Sequence, residues 1–165
     1  MRPSQLFSCL ILRTSVCLSR NPFGPTHTLL LLDIPTFEGH VIRLATAGVY
    51  PLIAGSMGEA IHLSHSERVK LIHAARKALD NAGFDQVPII AGTGAASTRE
   101  TVELCNEAAA AGADYVIVLT NGFFAGVLAS NPAALKAHFV EVAEKSPIPV
   151  FIYNCASSRI IVFYF

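Results

Sequence analysis

Few residues of this chain combine the right type with the right spacing for chemistry. Gly55-Ser56-Met57-Gly58-Glu59 places a hydroxyl and several backbone amides on a turn with little side-chain bulk. Such a turn can hold a carboxylate or a phosphate. It can equally be an ordinary connection in which glycine supplies backbone freedom. Tyr153 ends an apolar run at 148–153. Its phenol fits a proton-transfer group, or a buried tyrosine whose hydroxyl is satisfied. Gly92-Thr93-Gly94 reads as a structural turn. Ser97 stands where a dinucleotide fingerprint needs its third glycine, and no lysine follows to complete a phosphate loop. His62, His65 and His73 lack the context of an HExxH zinc site and read as surface or packing residues.

Lysine is informative by its placement. Lys70, Lys77, Lys136 and Lys145 all fall in stretches that read as helices. None lies on a strand facing a pocket, where loss of water could lower its pKa and make it a nucleophile. The cysteines at 9, 17, 105 and 155 have no CxxC spacing. They read as reduced thiols of an intracellular protein, neither a zinc site nor a disulfide framework.

Alternating strands and helices position these residues. Residues 34–47 predict a helix with Phe37, Val41, Leu44 and Ala45 on one face and Gly48 beyond its end. A strand follows at 49–54. Ser64 and Glu67 form a capping-box pair that opens a second helix, with Val69, Ile72, Ala75 and Leu79 as its apolar stripe and Gly83 as its stop. The next strand is 87–91. Ser97 and Glu100 are a second capping-box pair, for a helix through Ala111. A third strand is 115–119, Asn131-Pro132 opens another helix, and 148–153 is the fourth strand. Continuously apolar strands joined by helices imply a parallel sheet buried on both faces. Two architectures fit: an open doubly wound sheet, or a partial (β/α)8 TIM barrel of which 165 residues supply about half. Both place function at the carboxyl ends of strands, where 55–59, 92–94, 120–124 and Tyr153-Asn154 fall.

Composition narrows the function classes. Hydrophobic residues are 52%, charged residues 15%, and the net charge is zero. Disorder is excluded by the apolar content, and no global field exists to attract nucleic acid. Residues 6–18 are apolar but short for a membrane span and broken by Arg13. Residues 115–135 carry no charge, but Asn121, Gly122, Gly126, Asn131 and Pro132 divide them into strand, loop and helix start. The first 28 residues contain Arg2, Arg13 and Arg20, no acid, and serines at 4, 8, 15 and 19. That is the composition of a transit segment. The expected location is cytoplasmic, with mitochondrial, which such a segment would support, as the alternative. The expected parts are a divergent leader at 1–32, an α/β body at 33–154 and an apolar tail at 155–165, β-prone enough to aggregate.

Several segments together resemble one family. Gly55-Ser56-Met57-Gly58-Glu59-Ala60, followed by His62-Leu63-Ser64 and Glu67-Arg68, resembles its GSTGE signature and following L…ER. Val87 to Gly94, Ala110-Ala111-Gly112-Ala113-Asp114, and Ile148 to Asn154 resemble its next strand and turn, its A…GAD segment and its P…YN strand. The family is the dihydrodipicolinate synthase and N-acetylneuraminate lyase family of pyruvate-dependent class I aldolases, in the flavour of its 4-hydroxy-2-oxoglutarate aldolase-like members.

The resemblance implies a TIM barrel that assembles as a homo-oligomer, a small-molecule 2-oxo acid of pyruvate type as partner, and no metal or separate cofactor. It implies a lyase in which a lysine forms a Schiff base with the 2-oxo acid. It assigns substrate carboxylate binding to Ser56 and the Met57 amide, and proton relay to Tyr153, with Ser56 hydrogen-bonded to the Tyr153 hydroxyl. Three departures stand out. Met57 stands where many members have threonine, and Phe123-Phe124 stand where some have tyrosines, one of which extends the relay. No lysine follows Tyr153, where the Schiff-base lysine belongs. The expectation is a fragment that is catalytically inactive alone. The alternatives are a non-catalytic partner of a full-length relative and a small flavodoxin-like binding protein.

Overall fold

Each helix begins at a side chain able to satisfy its first amides. The computed structural model describes residues 18–19, 31–120 and 131–153. Helix α1, Ile34–Thr46, starts at Asp33, whose carboxylate accepts from the Thr36 amide at 3.2 Å and the Thr36 hydroxyl at 2.9 Å. It buries Phe37, Val41, Leu44 and Ala45, the face the sequence predicts. Helix α2, His65–Asn81, opens with a complete capping box. Ser64 Oγ accepts from the Glu67 amide, and the Ser64 amide donates to Glu67 Oε2 at 2.8 Å. Helix α3, Thr98–Ala110, has only half of its predicted box. Ser97 Oγ accepts from the Glu100 amide at 3.2 Å, while the Glu100 carboxylate lies 3.7 Å from His65 Nε2 on α2. Helix α4, Pro132–Lys145, is capped by Asn131, whose Oδ1 accepts from the Ala134 amide.

Leu18–Ser19 (β1) and Leu31–Leu32 (β2) pair as a short antiparallel ribbon. Leu32 packs against the core, so part of the predicted leader is attached to the body. The main sheet has four parallel strands in the order β3 (Leu52–Ile53), β4 (Ile90–Gly92), β5 (Tyr115–Leu119), β6 (Val150–Tyr153). Three of them are shorter than their apolar runs, because Pro51, Pro88 and Pro149 stand at the strand entrances without an amide to donate. The Pro51 and Pro149 carbonyls still accept, from the amides of Ile90 and Val116, both at 3.1 Å. At its other end, β3 stops because Ala54 turns into the left-handed region, at φ 54°.

The register aligns Ile53, Ala91 and Val116 on one face, with Val118 beside them. All four are buried in one core with Phe37, Val41, Leu71, Ala75, Leu79, Leu135, Phe139 and Val142 from the helices. The opposite face carries Tyr115, Ile117, Leu119, Phe151 and Tyr153, and contributes nothing to that core. A doubly wound sheet reverses its strand order and packs helices on both faces. Here the order is sequential and one face alone meets the helices, so the chain forms a segment of a barrel wall.

The amino ends of the strands are tied together by charge. Asp114 Oδ2 accepts from the Ile89 amide at 2.8 Å and sits 3.5 Å from the Arg76 guanidinium on α2. Gly112, at φ 98°, ends α3 in a conformation that side chains rarely adopt, and a Cβ there would press on the Arg76 side chain. The A…GAD segment is thus explained by stability. No helix among the described residues is long and apolar enough to cross a membrane.

Candidate functional site

The turn after β3 is built from strained backbone. Ala54 and Glu59, neither of them glycine, sit at φ 54° and 57° and bracket residues 55–58. Each left-handed residue costs about 1–2 kcal/mol and persists only where its surroundings over-determine it. Between them Ser56–Gly58 makes one 3₁₀ turn, closed by the Gly58 amide donating to the Gly55 carbonyl at 2.9 Å. The amides of Ser56 and Met57 open this turn and have no acceptor within it. Ser56 and Met57 are exposed while Gly58 is buried. Hydroxyl and amides are therefore presented together on a fixed frame.

That frame rests on β4. A Cβ at Gly92 would run into the carbonyl oxygen of Ala54, so only glycine lets the two strand ends meet. Thr93 is buried and donates its amide to the Ile117 carbonyl at 3.1 Å, and its Oγ1 lies 3.3 Å from Cys105 Sγ. Residues 92–94 are a structural turn, as read. Burial pushes the Cys105 thiol up from its ordinary pKa, against a smaller opposite effect of the Thr93 hydrogen bond. Cys105 is a free, buried cysteine; the other three lie outside the described residues.

Tyr153 is the last residue of β6, paired with Leu119 and half-buried. Phe151, on the same face, stacks at a tilt on Tyr115 with ring centroids 5.3 Å apart. Ser56 and Tyr153 share the carboxyl end of the sheet but belong to its two outer strands. Three inter-strand steps separate them, about 14 Å along the sheet. Thr120, at the same end of β5, is buried, and its hydroxyl has no hydrogen-bond partner among the described residues. Phe123, Phe124 and Asn154 lie outside the described residues.

A polar cluster between α2 and α3 lies behind the turn. His65 Nδ1 is 3.0 Å from both Glu107 carboxylate oxygens. The Glu107 hydrogen bond raises the His65 pKa, partly offset by burial, with Glu100 adding to the rise. Arg68 reaches past this cluster to donate to the Ala60 carbonyl at 2.7 Å and, more weakly, to the Gly92 carbonyl at 3.5 Å. Sequence reasoning missed both groups. It read His65 as a surface or packing residue without naming its partners, and it knew Arg68 only as part of a signature. A helix-phase argument could have found them, since positions 65 and 68 share one face of α2. His62 and His73 are exposed, as read. The four lysines lie on α2 and α4, also as read.

Residues 37–160 match the Dihydrodipicolinate synthetase family. The chain belongs to that family. It is 50% identical over 124 residues to an Emericella nidulans protein named "Probable 4-hydroxy-2-oxoglutarate aldolase, mitochondrial", covering 74% of this chain and 40% of the relative. It is 44% identical to the L-threo-3-deoxy-hexylosonate aldolase of Hypocrea jecorina, covering 74% of this chain and 39% of that protein. The dihydrodipicolinate synthase of Acinetobacter baumannii, solved with pyruvate, superposes with a TM-score of 0.67 at 30% identity, over 76% of this chain and 41% of that one. The chain thus spans about two-fifths of the length of the relatives it matches. Its sheet is part of a (β/α)8 barrel, and its family is one of lyase-type aldolases and synthases.

Proposed function

We propose that this chain carries the carboxylate-binding and proton-relay half of a class I lyase site. The reaction makes or breaks a carbon–carbon bond in pyruvate or a related 2-oxo acid. Ser56 Oγ and the Met57 amide hold the substrate carboxylate, and the Tyr153 phenol moves the proton. In such a reaction an amine attacks C2 of the 2-oxo acid, the carbonyl oxygen leaves as water, and the imine accepts the electron pair of the bond being broken. The strained 55–58 turn is the observation that carries this reading, since it presents an exposed hydroxyl and two amides together at the carboxyl end of the sheet. The pyruvate in the Acinetobacter structure supports the substrate class. Lys70, Lys77, Lys136 and Lys145 stand on helices, so the imine is not formed on residues 1–165 alone. The homo-oligomer expected of the family belongs to the same proposal. The mitochondrial name of the Emericella relative and the arginine-bearing, acid-free first 28 residues favour a mitochondrial over a cytoplasmic location.

The test is pyruvate binding followed by NMR. Ser56→Ala should weaken it about 10- to 100-fold, the worth of one hydrogen bond to a charged group. Equal affinity in the variant would remove Ser56 from the site.

A further inference from the structure

Arg68 is half-buried at the start of α2, with carboxylates near it but none within ion-pair reach among the described residues. Its neighbours are Ile72 of its own helix, Thr93 of the β4 turn and Glu107 of α3, around a space of about 10 Å³. Its Nε is buried without a hydrogen-bond partner, and its two terminal nitrogens point at backbone. The acceptors are the carbonyls of Ala60, immediately after left-handed Glu59, and of Gly92, which abuts left-handed Ala54. One guanidinium thus touches both ends of the strained turn: directly beyond Glu59, and through Gly92 at Ala54. Burying a charge this far is costly, and a packing role alone would be served by an apolar side chain of similar length.

We propose that Arg68 is the positioning residue of the carboxylate-binding turn. It fixes residues 54–60 against the end of β4, so that the Ser56 hydroxyl and the Met57 amide stay aimed at one point. This rests on the function proposed above, but the geometric half stands without it. Loosening the clamp releases the left-handed conformations of Ala54 and Glu59, and the turn relaxes away from its binding shape.

Arg68→Met keeps the length of the side chain and removes its donors. Amide hydrogen exchange on the full chain is the direct test. In Arg68→Met the amides of Gly58 and Ala60, which donate to the Gly55 carbonyl within the turn, should exchange at least about tenfold faster, with those of α3 and β5 unchanged. Arg68→Lys, which keeps a charge and a donor, should restore part of the protection, and it carries the test if the Met variant does not fold. In pyruvate titrations Arg68→Met should weaken binding about tenfold, and should add little to Ser56→Ala because both act on one turn. Unchanged exchange at Gly58 and Ala60 in both variants would overturn the proposal. Faster exchange in a chain that binds no pyruvate would keep the clamp and remove the function it serves.

Discussion

His65 shows how one residue can report on the packing behind the site. Its ring lies between Glu107 and Glu100 and is about two-fifths exposed, so solvent screens the interaction. Its pKa is raised in the folded state, chiefly by the Glu107 hydrogen bond. A group with a raised folded pKa gives stability that is complete below its unfolded value of 6.5 and is lost as pH rises through the folded value. Wild type should therefore exceed His65→Gln in urea midpoint at about pH 5.5, and the gap should close at about pH 8.5. An equal gap at both pH values would mean that the pair with Glu107 does not form in solution. None of this was legible in the sequence. His65 and Glu107 lie 42 positions apart, and nothing local says that α2 and α3 pack side by side at that point.

At the scale of elements, the helices were legible and the strand limits were not. Asp33, Ser64, Ser97 and Asn131 cap helices through local hydrogen bonds, which the order of residue types encodes directly. The strands end where prolines interrupt the ladder and where Ala54 turns left-handed, and hydrophobicity does not register either event. The Gly92 contact is likewise tertiary: the need for glycine comes from a carbonyl 38 positions earlier. Gly92→Ala should force the ends of β3 and β4 apart and cost about 1–3 kcal/mol, the usual range for overpacking. A denaturant titration measures it. A loss within about 0.5 kcal/mol, the ordinary effect of a surface change, would show that the two strand ends yield easily.

At the scale of the molecule, four sequential parallel strands with one face against helices form part of a barrel wall. The 55–59 turn after β3 and the Tyr153 phenol ending β6 lie on the outer strands of that wall. The proposed function has them serve one substrate, which requires barrel curvature to turn both strand ends toward a common axis. The sequence motifs made the family visible, because glycine turns and the P…YN strand are local. The distance between Ser56 and Tyr153 was not visible, because curvature belongs to the whole sheet. In the proposed function this chain binds the 2-oxo acid while none of Lys70, Lys77, Lys136 and Lys145 supplies the amine. The direct measurement is borohydride reduction of the full chain with pyruvate, read by peptide mass spectrometry. No adduct is expected on Lys70, Lys77, Lys136 or Lys145. A single stoichiometric adduct at any one of them would contradict the proposed function.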